Sequence, residues 1–340
     1  MSQPQKFRQV FQHASKDLLQ WFPGHMAKGM RNMQSQLRKV DGIIEVHDAR
    51  VPFSGRNALF RDKLSAVCPH LFVLNKIDLA DMSRKKEIIS RLKQEGVTDV
   101  IMTDCKQNST ATAAQIIPKI VELIKTSPRY DRNFSSPSVY TLMVIGVPNV
   151  GKSSLINLLR SIHMKRGGKP AQVGAMPGVT RAVQTGMFVS LRPAIMVLDT
   201  PGISAPNVPS IDAAMKLAVC HVLQDTRIGE DVLVDYLLFW LNKHGDFRYV
   251  EAFGMEKPTD KVMELLVHIA TTRNIFQTIK PVTGGPLVRR VDLTASARWV
   301  LAQFRAGKLG TVMLDSDIMA PPSEIQFQDH DSKRRILQSG

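Results

Sequence analysis

Cysteine is scarce in this chain. Cys68, Cys105 and Cys220 are the only three in 340 residues, and they stand far apart with no C-x-x-C pair. That excludes a disulfide scaffold and argues against a structural zinc site, so a reducing compartment is the simplest inference. Long apolar runs are missing too. No stretch approaches the roughly 20 residues that a bilayer-spanning helix needs, so the chain reads as soluble or peripheral. Acids are short relative to bases: 30 Asp and Glu against 45 Lys and Arg, a net charge of +15. Such an excess favours polyanionic partners, because neutralised phosphates release their counterions. RNA, DNA and an anionic membrane surface all fit, and so does a basic protein with no nucleic-acid partner.

What the chain does carry is a set of short runs in an unusual order. NKID stands at Asn75–Asp78, GVPNVGKS at Gly146–Ser153 and DTPG at Asp199–Gly202. Apolar runs bounded by turn residues predict strands at Ile43–His47, Leu71–Leu74, Asp99–Met102, Leu142–Ile145 and Ile195–Leu198. Helical patterns lie between several of them, around Ser83–Glu95 and Gln115–Lys125. Strands alternating with helices imply an α/β fold with a mostly parallel sheet, whose ligands sit at the carboxyl ends of the strands. Each of the three motifs directly follows a predicted strand.

Ser127–Ser138 is rich in Ser, Pro and Arg and reads as a linker. Beyond about Ala205, Ala213–Leu223, Val232–Leu241, Lys261–Ala270 and Leu293–Phe304 look helical, with no convincing strand between them. The expected division is a segment 1–20, a nucleotide-binding domain 21–205, a separate α-helical domain 206–312 and a loose tail 313–340. In the first segment Phe7, Val10, Phe11, Ala14 and Leu18 recur at helical spacing among Lys6, Arg8 and Lys16. An import leader and a short helix docked on the next domain both account for it.

The run Gly146-x4-Gly151-Lys152-Ser153 fits a phosphate-binding loop. Its glycines let backbone N–H groups of Asn149, Val150, Gly151 and the following residues approach phosphate oxygens, and the helix that follows adds its positive end. Lys152 is expected to reach the β- and γ-phosphates, Ser153 to bind magnesium, and Ser154 to complete the turn. Asp199 would hold magnesium through water, and the Gly202 N–H would meet the γ-phosphate. Thr180, in PGVTR, is the candidate whose hydroxyl closes on magnesium in the GTP state. NKID accounts for guanine selectivity. The Asp78 carboxylate can accept from the ring N–H and the 2-amino group together, and adenine offers neither. The Lys76 stem can cover the base plane, and Asn75 can brace the P-loop. Thr103-Asp104-Cys105 follows the next strand, where either a backbone N–H meets the guanine carbonyl or the loop is unremarkable. NKID also disfavours an ATP-dependent kinase.

The order base motif, P-loop, magnesium motif identifies a circular permutation. The sheet is unchanged but the chain is cut just after the DTPG switch region, which then runs directly into the helices. Loss of the γ-phosphate is therefore expected to be felt by them.

WFPGHMAKGM at Trp21–Met30, DARVPFSGRN at Asp48–Asn57, LNKIDL, GVPNVGKSS and MPGVTR occur in one order. In this the chain resembles the circularly permuted GTPases of ribosome assembly, and within them their mitochondrial branch. The resemblance runs from about Trp21 to the end of the helices. It implies a GTP-hydrolysing switch that binds the large mitochondrial ribosomal subunit and its rRNA and supports late assembly. It also implies a place in the matrix, with peripheral contact at the inner membrane left open. Ile203 stands where many GTPases carry a water-orienting glutamine. By resemblance His25 of PGHMAK reaches that water, while capping a helix or touching RNA would also explain it. Asn149, again by resemblance, holds potassium beside the β/γ bridge, or else braces the loop without an ion. Lys165, Arg166, Lys169 and Arg181 face rRNA or are simply solvated. His47, Asp48 and Arg50 match the family's motif in a catalytic or a structural role. The alternative function is an rRNA- or ribosome-binding scaffold with a nearly inert nucleotide site.

Overall fold

Every residue of the strand Gly42–Asp48 (β1) is buried, as a strand must be when both faces of its sheet are covered. The computed structural model describes residues 6–12, 37, 39–56, 68–106, 110–127, 139–164, 186–198, 210–222, 225–280 and 285–319. Five further strands join β1: His70–Asn75 (β2), Val100–Met102 (β3), Tyr140–Ile145 (β4), Gly186–Leu191 (β5) and Ala194–Leu198 (β6). Their order is β3-β2-β1-β4-β6-β5. All neighbours run parallel except β5, which pairs antiparallel with β6.

The sheet is thus two blocks in chain order, β3-β2-β1 and β4-β6-β5, joined where β1 pairs with β4 from Gly42↔Leu142 to Glu45↔Ile145. Because β1 is parallel to both β2 and β4, the turns after Asn75 and Ile145 open on one edge of the sheet. That junction is what lets a base motif placed early in the chain meet a P-loop placed later.

Helix Ile116–Lys125 buries Ile116, Ile117, Ile120, Val121 and Ile124 in the cluster that holds Ile44, Val73 and Leu142 on one face of the sheet. Lys152–His163 joins the same cluster through Leu155, Leu158 and Leu159. Lys85–Gln94 sets Ile88 and Leu92 against Phe72 and Leu74 on the other. These three helices, in chain order, are α1 (Lys85–Gln94), α2 (Ile116–Lys125) and α3 (Lys152–His163). The P-loop helix α3 begins directly after Gly151.

The C-terminal helices are Ile211–Val219 (α4), Glu230–Lys243 (α5), Arg248–Phe253 (α6), Val262–Thr272 (α7), Leu293–Arg305 (α8) and Ser316–Met319 (α9). Three expectations need correction here. The helices do not form a core apart from the sheet: Leu217, Leu237 and Leu301 lie in the same buried cluster as Leu142 and Val144. Strands do occur among them, since Phe276–Ile279 (β7) and Val288–Val291 (β8) form an antiparallel hairpin. Its two strands are four residues each and mostly exposed, so they show none of the apolar alternation that marks a strand in sequence. The loose tail does not begin at 313. Met313, Leu314 and Asp315 are buried and α9 follows them.

Residues 6–12 are irregular rather than helical. Phe11 meets Tyr236 edge-on at 5.2 Å, and Arg8 bonds Asp235 on α5 and Asp260 just before α7. This segment docks on the C-terminal helices. No described helix is long and apolar enough to cross a membrane.

Candidate functional site

The P-loop owes its shape to two glycines. Gly146 has φ +143° and a Cβ there would lie 2.2 Å from the Val46 carbonyl oxygen, so the loop passes directly over β1. Gly151 has φ +99°, and a Cβ would lie 2.2 Å from Asn75 Nδ2. Only glycine allows both the left-handed backbone and the approach. Asn75, at the end of β2, uses that approach: its Nδ2 donates to the Val150 carbonyl at 2.8 Å, and its Oδ1 accepts from the Cys105 N–H at 3.2 Å. One side chain thereby ties NKID to the P-loop and to the loop after β3.

Lys76, also at positive φ (63°), donates from Nζ to the Asn149 carbonyl at 2.5 Å and pairs with Asp48 at 3.0 Å. Asp48 and Arg50, both buried, are joined by Nε and Nη2 bonds of 3.0 and 2.8 Å. Burial pushes the Asp48 carboxyl up, but Arg50 and Lys76 together bring it down to about 2. The pair thus acts as a fixed anion that positions Lys76. Arg50 also lies over the Phe304 ring of α8 at 5.5 Å.

A cavity of about 360 Å³ opens between these loops. Asn75, Lys76, Asp78 and Leu79 line it from the base loop, and Asp104, Cys105 and Lys106 from the loop after β3. Asn149, Gly151, Lys152, Ser153 and Ser154 line it from the P-loop, and Arg305 from α8. Asp78 Oδ1 is buried and has no hydrogen-bond partner among the described residues. Its carboxyl is raised by burial and by the nearby Asp104. A buried acceptor left unpaired is costly, and the paired N–H donors of guanine's Watson–Crick edge are the complement it lacks. Lys152 donates to the Gly146 and Val147 carbonyls at 2.7 and 2.8 Å, and burial lowers its amine to about 8. Phosphate would supply the countercharge missing from that environment. Ser153 stands exposed in the first turn of α3 and makes no hydrogen bond to another described residue, which leaves its hydroxyl open to magnesium.

Thr103 and Val150 were expected at the nucleotide but are buried behind it. The Thr103 N–H is taken by the Leu74 carbonyl, and Val150 enters the core with only its carbonyl facing Asn75. The Cys105 and Lys106 N–H groups are held by the Asn75 and Asp104 side chains, so neither points freely at a base. His25, Thr180, Asp199, Gly202 and Ile203 lie outside the described residues, as do Lys165, Arg166, Lys169 and Arg181. No described group of His, Cys, Asp or Glu could hold a metal on its own. Lys106, Leu79 and Arg305 escaped the sequence reading. Lys106 and Leu79 merely follow a motif, and Arg305 sits some 150 positions beyond the P-loop, as Gly151 and Arg305 show by their numbers.

A parallel sheet cut between its base-reading and phosphate-binding halves, with both loops closing one cavity, defines a circularly permuted P-loop GTPase. The family described as 50S ribosome-binding GTPase matches residues 141–269, beginning on the P-loop strand and leaving NKID outside, as the permutation requires. The chain is 47% identical over 312 residues to mitochondrial ribosome-associated GTPase 1 of Ictalurus punctatus, covering 91% of this chain and 96% of that protein. The protein of the same name in Mus musculus is 46% identical over 92% of this chain and 95% of its own length. Ribosome biogenesis GTPase A of Bacillus cereus is 30% identical, with 88% and 94% covered. The chain belongs to this family of ribosome-associated GTPases, and it hydrolyses GTP. In fold it is similar to the crystal structure of GNP-bound YlqF from T. maritima, with TM-score 0.52 and 23% identity over 83% of this chain and 95% of that one.

Proposed function

We propose that this protein is a GTP-driven switch that binds the mitochondrial large ribosomal subunit and supports its late assembly on the matrix side. The observation that carries the reading is the unpaired Asp78 carboxylate in a cavity closed by a P-loop, in a chain 47% identical to a mitochondrial ribosome-associated GTPase. Lys152 holds the phosphates, and magnesium lies between Ser153, Thr180 and, through water, Asp199, where it offsets charge on the transferring phosphoryl group. The Gly202 N–H meets the γ-phosphate. His25 orients the attacking water in place of a glutamine, since Ile203 cannot hydrogen-bond. The Asn149 carbonyl oxygen suits potassium: its amide nitrogen donates to the His221 carbonyl at 2.6 Å, which fixes the oxygen on the opposite side. The +15 charge suits an rRNA partner.

The test is GTP turnover in potassium and in sodium buffer, with and without purified large mitochondrial subunits. Subunit-dependent stimulation that needs potassium and is lost in His25→Ala is the expected result. Tight GTP binding without stimulation by mature or immature subunits would instead leave a ribosome-binding scaffold. A Lys152→Ala protein that still supports assembly in cells would point the same way.

A further inference from the structure

One wall of the nucleotide cavity belongs to neither of its loops. Arg305, the last residue of α8, lines it and has every nitrogen engaged. Its Nε donates to the Val219 carbonyl at 2.9 Å and Nη2 to the Ala218 carbonyl at 3.0 Å. Nη1 and Nη2 grip the Asp225 carboxylate at 2.6 and 2.8 Å. These bonds fix α8 to the corner that ends α4. In that corner His221 adopts φ 65°, a left-handed conformation that side-chain-bearing residues rarely take. Its ring Nδ1 lies 3.3 Å from Asp225, and its carbonyl accepts the Asn149 amide of the P-loop. A continuous path therefore runs from the P-loop through His221 and Asp225 to Arg305.

The base loop is tied to the same helix end by different bonds. The Val312 N–H donates to the Leu79 carbonyl at 3.1 Å, and the Asp81 N–H donates to the Val312 carbonyl at 3.0 Å. Gly307, at φ +78°, has no room for a Cβ, which would lie 2.7 Å from Leu79 Cδ2. Leu79 is the neighbour of the guanine-reading Asp78. On the inner side, Lys76 reaches α8 through Asp48 and Arg50, whose guanidinium lies over Phe304.

We propose that Arg305 holds the base loop and the P-loop at the separation a guanine nucleotide needs, and is the residue through which the C-terminal helices set nucleotide affinity. The proposal rests on reading the cavity as a GTP site and adds to it a route that does not pass through the segment after Asp199. A partner that shifts α8 changes nucleotide affinity, and by linkage nucleotide changes that partner's affinity by the same factor.

The test compares Arg305→Ala, Arg305→Lys and Asp225→Asn with Arg8→Ala as control. Arg8 likewise bonds two carboxylates on the C-terminal helices, Asp235 and Asp260, but touches neither loop. Dissociation constants for fluorescent GDP and GTP analogues are read beside the melting temperature of each purified full-length protein. Arg305→Ala and Asp225→Asn are expected to weaken both nucleotides about tenfold, a typical coupling magnitude. Arg305→Lys recovers part of the loss. Arg8→Ala lowers the melting temperature and leaves both constants within about twofold, the size of a negligible coupling. Unchanged affinity in Arg305→Ala overturns the proposal. So does an equal loss in Arg8→Ala, which would make the effect one of general stability. If Arg305→Ala does not fold, Arg305→Lys and Asp225→Asn decide by the same readings. A wild-type protein that binds no guanine nucleotide removes the reading of the cavity itself, a separate result from unchanged affinity in the variants.

Discussion

At the scale of single residues the cavity is held in a state that its ligand would relieve. The Asp78 carboxylate is partly desolvated, lies near Asp104 and has one oxygen unpaired. Asp78→Ala should therefore leave the melting temperature of the nucleotide-free protein unchanged or slightly higher. It should weaken GTP by about 10²-fold or more, because the donors on guanine lose their acceptor. Thermal denaturation and nucleotide titration read the two effects separately. Lys152 gives a second test. Its folded amine is lowered to about 8, below its usual 10.5, so between those values the unfolded chain binds the proton and the folded one does not. Lys152 therefore opposes folding at neutral pH, and that penalty fades as pH rises from about 8 toward 10.5. Phosphate restores the charged form, so nucleotide binding takes up a proton above about pH 8. Calorimetry in buffers of different ionisation enthalpy should show uptake growing from pH 7 to pH 9, and uptake that stays flat would refute the assignment. Asn75, Lys76, Asp78 and Lys152 were legible in the sequence because their spacing follows from the shape of a nucleotide. The partners of Lys76 and Asn149 were not, because Asp48 and the His221 carbonyl become neighbours only through the fold.

At the scale of elements, the P-loop shows how little tolerance the site has. Gly151→Ala places a methyl on Asn75 Nδ2 and forces an unfavourable φ, so it should cost roughly 1–3 kcal/mol of stability. It should also detach NKID from the loop. Denaturant unfolding would measure the first, and loss of guanine-nucleotide binding at a temperature where the protein is still folded would show the second. The parallel strands were readable because each is an apolar run ended by a functional turn. β5 and the β7–β8 hairpin were not. Met187 and Leu191 of β5 are exposed, and β7 and β8 bury almost nothing, so neither carries the alternation that betrays a strand. The N-terminal segment had a periodic apolar pattern that suggested a helix. In residues 6–12 the same aromatics serve an irregular segment, with Phe7 against Phe247 at 5.4 Å and Phe11 against Phe239 at 5.6 Å. Removing the Arg8 contacts by Arg8→Ala should cost about 1–2 kcal/mol, since half-buried charged hydrogen bonds are lost on both carboxylates. A melting temperature equal to wild type would contradict the docking.

At the scale of the whole molecule, the permutation was visible in the order of three motifs, and the sheet follows it strand by strand. The reach of the chain's last described residues was invisible, because Ser, Pro and charge after 312 resemble a tail. Asp315 is nonetheless buried, accepting from the Phe53 and Ser54 N–H groups at 2.8 and 2.9 Å and from the Ser54 hydroxyl. Lys216 stands beside it with Asp212 and Asp317 as further partners. Ending the chain after Val312 removes Leu314 and Asp315 from the core and leaves Lys216 buried with Asp212 alone. Such a protein should be largely insoluble or unfolded by circular dichroism, whereas a chain ending after Met319 keeps these contacts and should fold. Equal behaviour of the two would refute this account of the C-terminal residues.

The bond between Ser54 and Asp315 spans 261 positions. It gives the chain a schedule. A ribosome, or an import channel that threads the chain amino end first, delivers the loop after β1 long before the residues that close over it. The base loop also waits for Val312, its hydrogen-bond partner, so a complete nucleotide cavity exists only once nearly the whole chain has emerged. Contacts this distant make folding slow and leave apolar surface uncovered meanwhile. Newly delivered chains should therefore depend on chaperones for longer than an unpermuted relative of the same size, and should acquire guanine-nucleotide binding as one of their last folding steps.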